Sequence, residues 1–183
     1  MKPVVDLNVS VIGLGYIGLP TAAMFASCGM EVVGVDIDPN VVETINTGGI
    51  HIIEPDLDAT VYKAVKEGKL RATLIPETAD AFLIAVPTPI HRENMVPNLD
   101  YIQAAANSIA PVISRENLII LESTVPVGTT EKLCHWLSLK RPDLTFPNTH
   151  GEASDIHIAH CPERVLPGKV MHELIQNDRI VGG

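Results

Sequence analysis

Three glycines, an aspartate, a few threonines and one Glu-Arg pair are the residues whose types and spacing could do chemistry in this chain. Gly13, Gly15 and Gly18 lie in Val9-Ser10-Val11-Ile12-Gly13-Leu14-Gly15-Tyr16-Ile17-Gly18-Leu19-Pro20, an apolar run that opens into G-x-G-x-x-G and then a helical pattern. That is the layout of a turn that holds a dinucleotide. Gly13 allows the tight turn out of a strand, Gly15 lets a pyrophosphate approach the backbone, and Gly18 lets the helix pack closely. The diphosphate would rest on free main-chain N–H groups at the positive end of that helix.

A second apolar run, Val32-Val33-Gly34-Val35, ends on Asp36, roughly 20 residues beyond the glycines, as the dinucleotide fingerprint requires. A carboxylate there can accept hydrogen bonds from both hydroxyls of an adenosine ribose. It would repel a 2′-phosphate, and the next residues, Ile37 and Asp38, include no arginine to hold one. NAD is therefore favoured over NADP. The alternative for Asp36 is a turn or helix-capping residue ahead of Pro39, a role that suits Asp38 better.

The other chemical residues leave two readings each. Thr88, between Pro87 and Pro89, either ends a strand or offers a hydroxyl to a ribose or phosphate. Thr124 stands in a similar place, with Ser123 and Thr130 nearby. Thr130 either bonds a cofactor from the start of a helix or, like Thr129, only caps it. Glu163 could hold or activate a water and Arg164 could meet an anionic substrate, or the two form a surface ion pair of little worth. Glu122 reads as a cap for loop hydrogen bonds. Lys63, Lys66 and Lys69 read as a solvated helix face. The spacing of His150, His157 and His160 does not make a metal site.

These residues need a scaffold, and the pattern of the chain supplies one. Strands are expected at 8–14, 31–36, 70–74, 81–86, 118–122 and 156–160, and helices at 17–27, 39–46, 57–67, 100–113 (capped by Asp100) and from Thr129 or Thr130 to Leu139. Leu57, Val61, Ala64 and Val65 share one face of the third helix, and Gly29 and Gly68 end the helices before them. Ala81–Val86 is apolar on both faces, as a buried parallel strand is. Ile50–Pro55 reads as extended, His91–Asn98 as irregular, and Lys140–Ser154 as a surface loop. Val170–Gln176 reads as a helical turn and Ile180-Val181 as the start of another strand. Alternating strands and helices with right-handed crossovers give an α/β fold: a doubly wound parallel sheet of order 3-2-1-4-5-6, with helices on both faces. The loops carrying Gly13–Gly18, Asp36, Thr88, Thr124 and Glu163 all follow strands, so all should meet at one edge, with the cofactor at the switch point between strands 1 and 4.

With 183 residues the chain is long enough for one full domain and short for two. Its 46% hydrophobic and 19% charged content fits an ordered globular protein. A net charge of −9 argues against nucleic-acid binding through a basic surface, so an anionic cofactor must be held by local backbone dipoles. No long apolar segment reads as a signal peptide or membrane span. Cys28, Cys134 and Cys161 are widely spaced and form no C-x-x-C pair, with Cys28 read as a small packing residue. A cytoplasmic location is expected.

Taken together, VIGLGYIGLP, GVDID, EPDL, AVPTP, LESTVPVGTTEK and CPERVLPG resemble the N-terminal domain of the nucleotide-sugar 6-dehydrogenases, the UDP-glucose/GDP-mannose dehydrogenase family. The resemblance covers essentially all of 1–183, which it implies is a Rossmann-like NAD-binding domain. It implies oxidation of a sugar C6 alcohol to a carboxylate with two NAD molecules reduced, through a cysteine thioester, in polysaccharide biosynthesis. On that analogy Tyr16, Ile17, Asp36, Thr88, Thr124 and Thr130 contact NAD. Thr124 and Glu163 lie by the reacting centre, and Arg164 and Val165 touch a UDP-sugar. Where UDP-glucose enzymes carry a P-E-F-L-R-E-like sequence, this chain has PERVLPG, with Pro167 in place of the second acid. That departure points to a UDP-N-acetylhexosamine, UDP-N-acetyl-D-mannosamine first. The family's nucleophilic cysteine and its catalytic lysine and asparagine belong to later domains, which also carry the dimer helix and most of the sugar pocket. The chain alone is therefore expected to bind NAD without turning over substrate. A non-catalytic NAD-binding module is the other reading.

Overall fold

The computed structural model describes residues 6–91 and 96–182. Six strands form one parallel sheet, β1 (Asn8–Ile12), β2 (Glu31–Val35), β3 (Leu70–Thr73), β4 (Ala81–Ile84), β5 (Leu118–Leu121) and β6 (His157–His160), in the order β3-β2-β1-β4-β5-β6. β1 sits at the centre, with Val11 opposite Gly34 on one side and Leu83 on the other. The expected topology is therefore the observed one.

The pleat sends alternate side chains of each strand to opposite faces, and each face is covered by helices. Val9, Val11, Val32, Leu70, Ala72 and Leu83 pack against α1 (Gly18–Ser27), Ile45 of α2 (Pro39–Asn46), and Leu57, Val61 and Ala64 of α3 (Leu57–Lys66). Ile12, Phe82, Ile84, Ile119, Leu121 and Ile158 pack against α4 (Asp100–Ile109) and α5 (Thr129–Lys140). Near the end of the chain come α6 (Pro147–His150) and α7 (Val170–Gln176).

Several local expectations change. β1 stops at Ile12 because Gly13, at φ +92°, turns the chain. α4 ends at Ile109 rather than Ile113, since Pro111 has no N–H to continue the ladder. Asp100 is its first residue and not its cap: Asn98 Oδ1 accepts the Asp100 N–H at 2.7 Å. Lys140–Ser154 is not simply a surface loop. Leu144 and Phe146 are buried in the core, and Thr145 and Asp155 exchange backbone-to-side-chain hydrogen bonds at 2.9 and 2.7 Å. Ile180-Val181 begins no strand; the chain makes a single antiparallel bridge from Gly182 to His160. Ile50–Pro55 is irregular, with Ile53 exposed and Glu54 buried. Cys28 is exposed at the end of α1, and it is Cys134 that packs inside. Of the irregular stretch His91–Asn98, residues 92–95 lie outside the described residues; an Ile90–Pro97 bridge closes it.

Among the described residues, no helix is long and apolar enough to cross a membrane.

Candidate functional site

Every strand of a parallel sheet ends on the same edge, and there the chemical residues gather. Gly13 follows β1 and donates its N–H to the Val35 carbonyl at 2.8 Å, locking the glycine turn to the end of β2. A Cβ on Gly18 would lie 1.8 Å from the Gly13 carbonyl oxygen. The third glycine is thus needed for the turn to close on itself more than for packing on the sheet. A Cβ on Gly15 would meet nothing within 4 Å, so the backbone there faces open ground. The N–H groups of Gly15, Tyr16 and Ile17 find no main-chain acceptor among the described residues. Open space over a glycine, unspent donors and a helix N-terminus together fit a pyrophosphate.

Asp36 completes that half of the site. Its Oδ2 accepts the Leu14 N–H at 2.9 Å and its Oδ1 accepts the Asp38 N–H at 3.0 Å. The carboxylate is thereby held between the glycine turn and the next loop, and each oxygen keeps a second lone pair for a ribose hydroxyl. Asp38 is the cap of α2, accepting the Asn40 N–H at 2.9 Å, which leaves Asp36 free of that role. Ile37, 89% exposed, presents an apolar surface beside it.

On the other side of the switch point, the Thr88 hydroxyl donates to the Thr124 carbonyl at 2.8 Å, tying the loop after β4 to the loop after β5. Toward a cofactor, Thr88 in this arrangement offers only lone pairs. Ser123 Oγ reinforces the junction with a 2.7 Å bond to the Val86 carbonyl. The Thr124 side chain is exposed. Neither Thr129 nor Thr130 caps α5: Thr129 Oγ1 donates back to the Pro126 carbonyl at 2.7 Å, and Thr130 Oγ1 lies 3.1 Å from Glu131 Oε2.

Glu163 and Arg164 do not pair. The Glu163 side chain is 8% exposed and its Oε2 faces Arg179 Nη2 at 2.9 Å, outside hydrogen-bond alignment. Its Oε1 accepts the Arg164 N–H. Arg179 Nη1 also reaches Glu122 Oε1 at 3.1 Å. Glu122 is not a loop cap: it is buried, and Thr21 of α1 donates to its Oε2 at 3.5 Å. Burial pushes the Glu122 carboxyl up to about 7; Arg179 and Thr21 resist the shift and Glu163 adds to it. Burial works against the charge on Arg179, yet Glu163 and Glu122 hold its pKa above the ordinary value. Sequence reasoning overlooked Arg179 and gave Glu122 the wrong role, because their link joins segments 57 residues apart. The Arg164 guanidinium has no salt-bridge partner among the described residues and stays exposed.

A carboxyl whose folded pKa lies above its unfolded value stabilises the fold at low pH and loses that contribution as pH rises through the folded pKa. Glu122 should therefore make the protein progressively less stable as pH rises from about 5 to about 7. Glu122→Gln, which removes the titration and keeps an acceptor for Arg179, is expected to flatten that slope by about 2 kcal/mol in denaturant melts. Equal slopes in both proteins would remove Glu122 as the titrating group.

The fold and this edge define a dinucleotide-binding domain of the doubly wound class. The chain belongs to the UDP-glucose/GDP-mannose dehydrogenase family, whose NAD-binding domain it matches over residues 7–183. It is 63% identical to an NDP-N-acetyl-D-galactosaminuronic acid dehydrogenase of Ralstonia nicotianae, over all of this chain and 44% of that protein. It is 62% identical to a UDP-N-acetyl-D-mannosamine dehydrogenase of Campylobacter jejuni, over 96% of this chain and 43% of that protein. The solved UDP-N-acetyl-mannosamine dehydrogenase of Staphylococcus aureus superposes with a TM-score of 0.87 at 39% identity, covering 96% of this chain and 41% of that one. The chain thus spans less than half the length of these relatives. NAD is the cofactor of the matched domain.

Proposed function

We propose that 1–183 is the NAD-binding domain of a nucleotide-sugar 6-dehydrogenase. Its substrate would be a UDP-N-acetylhexosamine, UDP-N-acetyl-D-mannosamine first, oxidised at C6 to the uronate. The observation that carries this reading is the meeting of the glycine turn, Asp36, the Thr88–Thr124 junction and the Glu163–Arg164 loop on one sheet edge. Bound NAD supplies the hydride acceptor for the sugar C6.

The chain's own residues do the rest of what this half contributes. Gly13, Gly15, Tyr16, Ile17 and Gly18 cradle the diphosphate with main-chain N–H groups. Asp36 grips the adenosine ribose, while Thr88 and Thr130 contact the cofactor farther along. The Thr124 hydroxyl, exposed beside the junction, stands at the reacting carbon. Glu163, ion-paired with Arg179 at 2.9 Å, is the carboxylate that would hold a water or take a proton there. Arg164 meets the anionic nucleotide and Val165 the sugar. The names of the relatives, for N-acetylmannosamine and N-acetylgalactosaminuronate chemistry, support an N-acetylated hexose. Pro167 in place of a second acid supports it too. Further domains supply the nucleophilic cysteine and the remainder of the sugar pocket, and the whole enzyme works as a cytoplasmic homodimer.

Calorimetry of the chain with NAD, and separately with UDP-N-acetyl-D-mannosamine, tests this division. Saturable NAD binding, far weaker sugar binding and no NADH from the chain alone are expected. Absence of NAD binding would overturn the reading, and NADH formation by the chain alone would overturn the division between domains.

A further inference from the structure

Glu54 takes no part in the site described so far, yet it is tied to it. It lies in the irregular stretch between α2 and α3, where its neighbour Ile53 is 90% exposed and Glu54 itself only 5%. A carboxylate is turned inward at this position because it has specific partners. Glu54 Oε2 accepts the Gly168 N–H at 2.7 Å and Oε1 accepts the Val170 N–H at 2.7 Å. The two donors stand 114 and 116 residues later in the chain. Both are main-chain groups at the entry to α7, so the clamp fixes backbone and not a mobile side chain.

Glu163–Gly168 runs between two fixed points. At its start, the Glu163 N–H donates to the Glu122 carbonyl at 3.3 Å and Arg179 meets the carboxylate. In its middle, Leu166 N–H donates to Glu173 Oε2 at 2.8 Å, and Asn177 Nδ2 donates to the Arg164 carbonyl at 3.2 Å. Glu173 belongs to α7 and Asn177 follows it directly, so these bonds hold the loop to that helix, which is itself seated by the buried side chains of Val170 and Leu174. Glu54 supplies side-chain hydrogen bonds that fasten the start of α7 to the stretch before α3.

We propose that Glu54 is a positioning residue for the loop that carries Arg164 and Val165. It sets where those side chains stand for the sugar nucleotide and leaves the NAD half untouched. This rests on the reading above that the loop faces the sugar nucleotide.

Glu54→Gln is the test, because it keeps the shape and one acceptor but turns an amide NH2 toward a main-chain donor. Amide exchange at Gly168 and Val170 is expected to speed up by about tenfold or more, with Leu166 following, while NAD affinity of the chain stays within about twofold. In the full-length enzyme, KM for UDP-N-acetyl-D-mannosamine should rise about tenfold with kcat nearly unchanged. Glu54→Asp keeps the charge one methylene short, should recover part of the loss, and serves as the probe if the glutamine variant does not fold. Unchanged exchange at Gly168 and Val170, or NAD affinity falling in step with KM, would overturn the proposal. Failure of the unaltered chain to bind NAD would count instead against the function proposed above.

Discussion

Asp36→Arg weakens NAD binding by about 100-fold in isothermal calorimetry, the loss expected when charge-assisted hydrogen bonds to two ribose hydroxyls disappear. The substitution also withdraws the acceptor for the Leu14 N–H, so the glycine turn loses its fixed relation to the loop after β2. In exchange it places a guanidinium where a 2′-phosphate would sit, so NADP affinity should rise as NAD affinity falls. The opposite movement of the two cofactors separates this effect from general damage, which would weaken both. Unchanged NAD affinity would remove Asp36 from the site.

Gly18→Ala has the largest expected cost to the fold. The added methyl would stand 1.8 Å from the Gly13 oxygen, 2.9 Å from the Gly13 carbonyl carbon and 3.4 Å from the Ala85 Cβ. The first two are main chain, and Gly13 is itself bonded to Val35 at 2.8 Å, so the turn cannot simply step aside. A loss of about 4 kcal/mol is expected, lowering Tm by roughly 8–15 °C, with NAD binding abolished. Gly15→Ala is the matched control. Its methyl meets no protein atom within 4 Å, so that variant should melt like the unaltered protein and still lose NAD, because the methyl fills the pyrophosphate ground. Normal stability and normal NAD affinity in Gly18→Ala would contradict the closed turn.

The sheet order and the edge residues were readable in the sequence because each strand there ends on punctuation. Gly13, Asp36, Pro87 and Pro162 mark where a strand gives way to a loop, and a parallel topology then sends all those loops to one edge. Harder to read were contacts between segments far apart in the chain. Glu122 looks like any acid at a strand end until Arg179 arrives beside it, and Arg179 sits next to a pair of residues that resembled a strand. The burial of Leu144 and Phe146 was likewise hidden, since two apolar residues among prolines and polar groups carry no period. Pro111 was a legible stop for α4, but the apolar spacing continues through Ile113, which stays buried after the helix has ended. Glu54 stood out only as the first residue of EPDL, and its role stayed hidden because its partners are backbone N–H groups, which every residue other than proline has.

The glycine turn and Asp36 together are expected to accept NAD and reject NADP. Parallel calorimetric titrations of the unaltered chain with the two dinucleotides test this most directly. One saturable site for NAD is expected, with affinity for NADP weaker by about 30-fold or more, from repulsion between the Asp36 carboxylate and the 2′-phosphate. Equal affinities, or tighter binding of NADP, would contradict it.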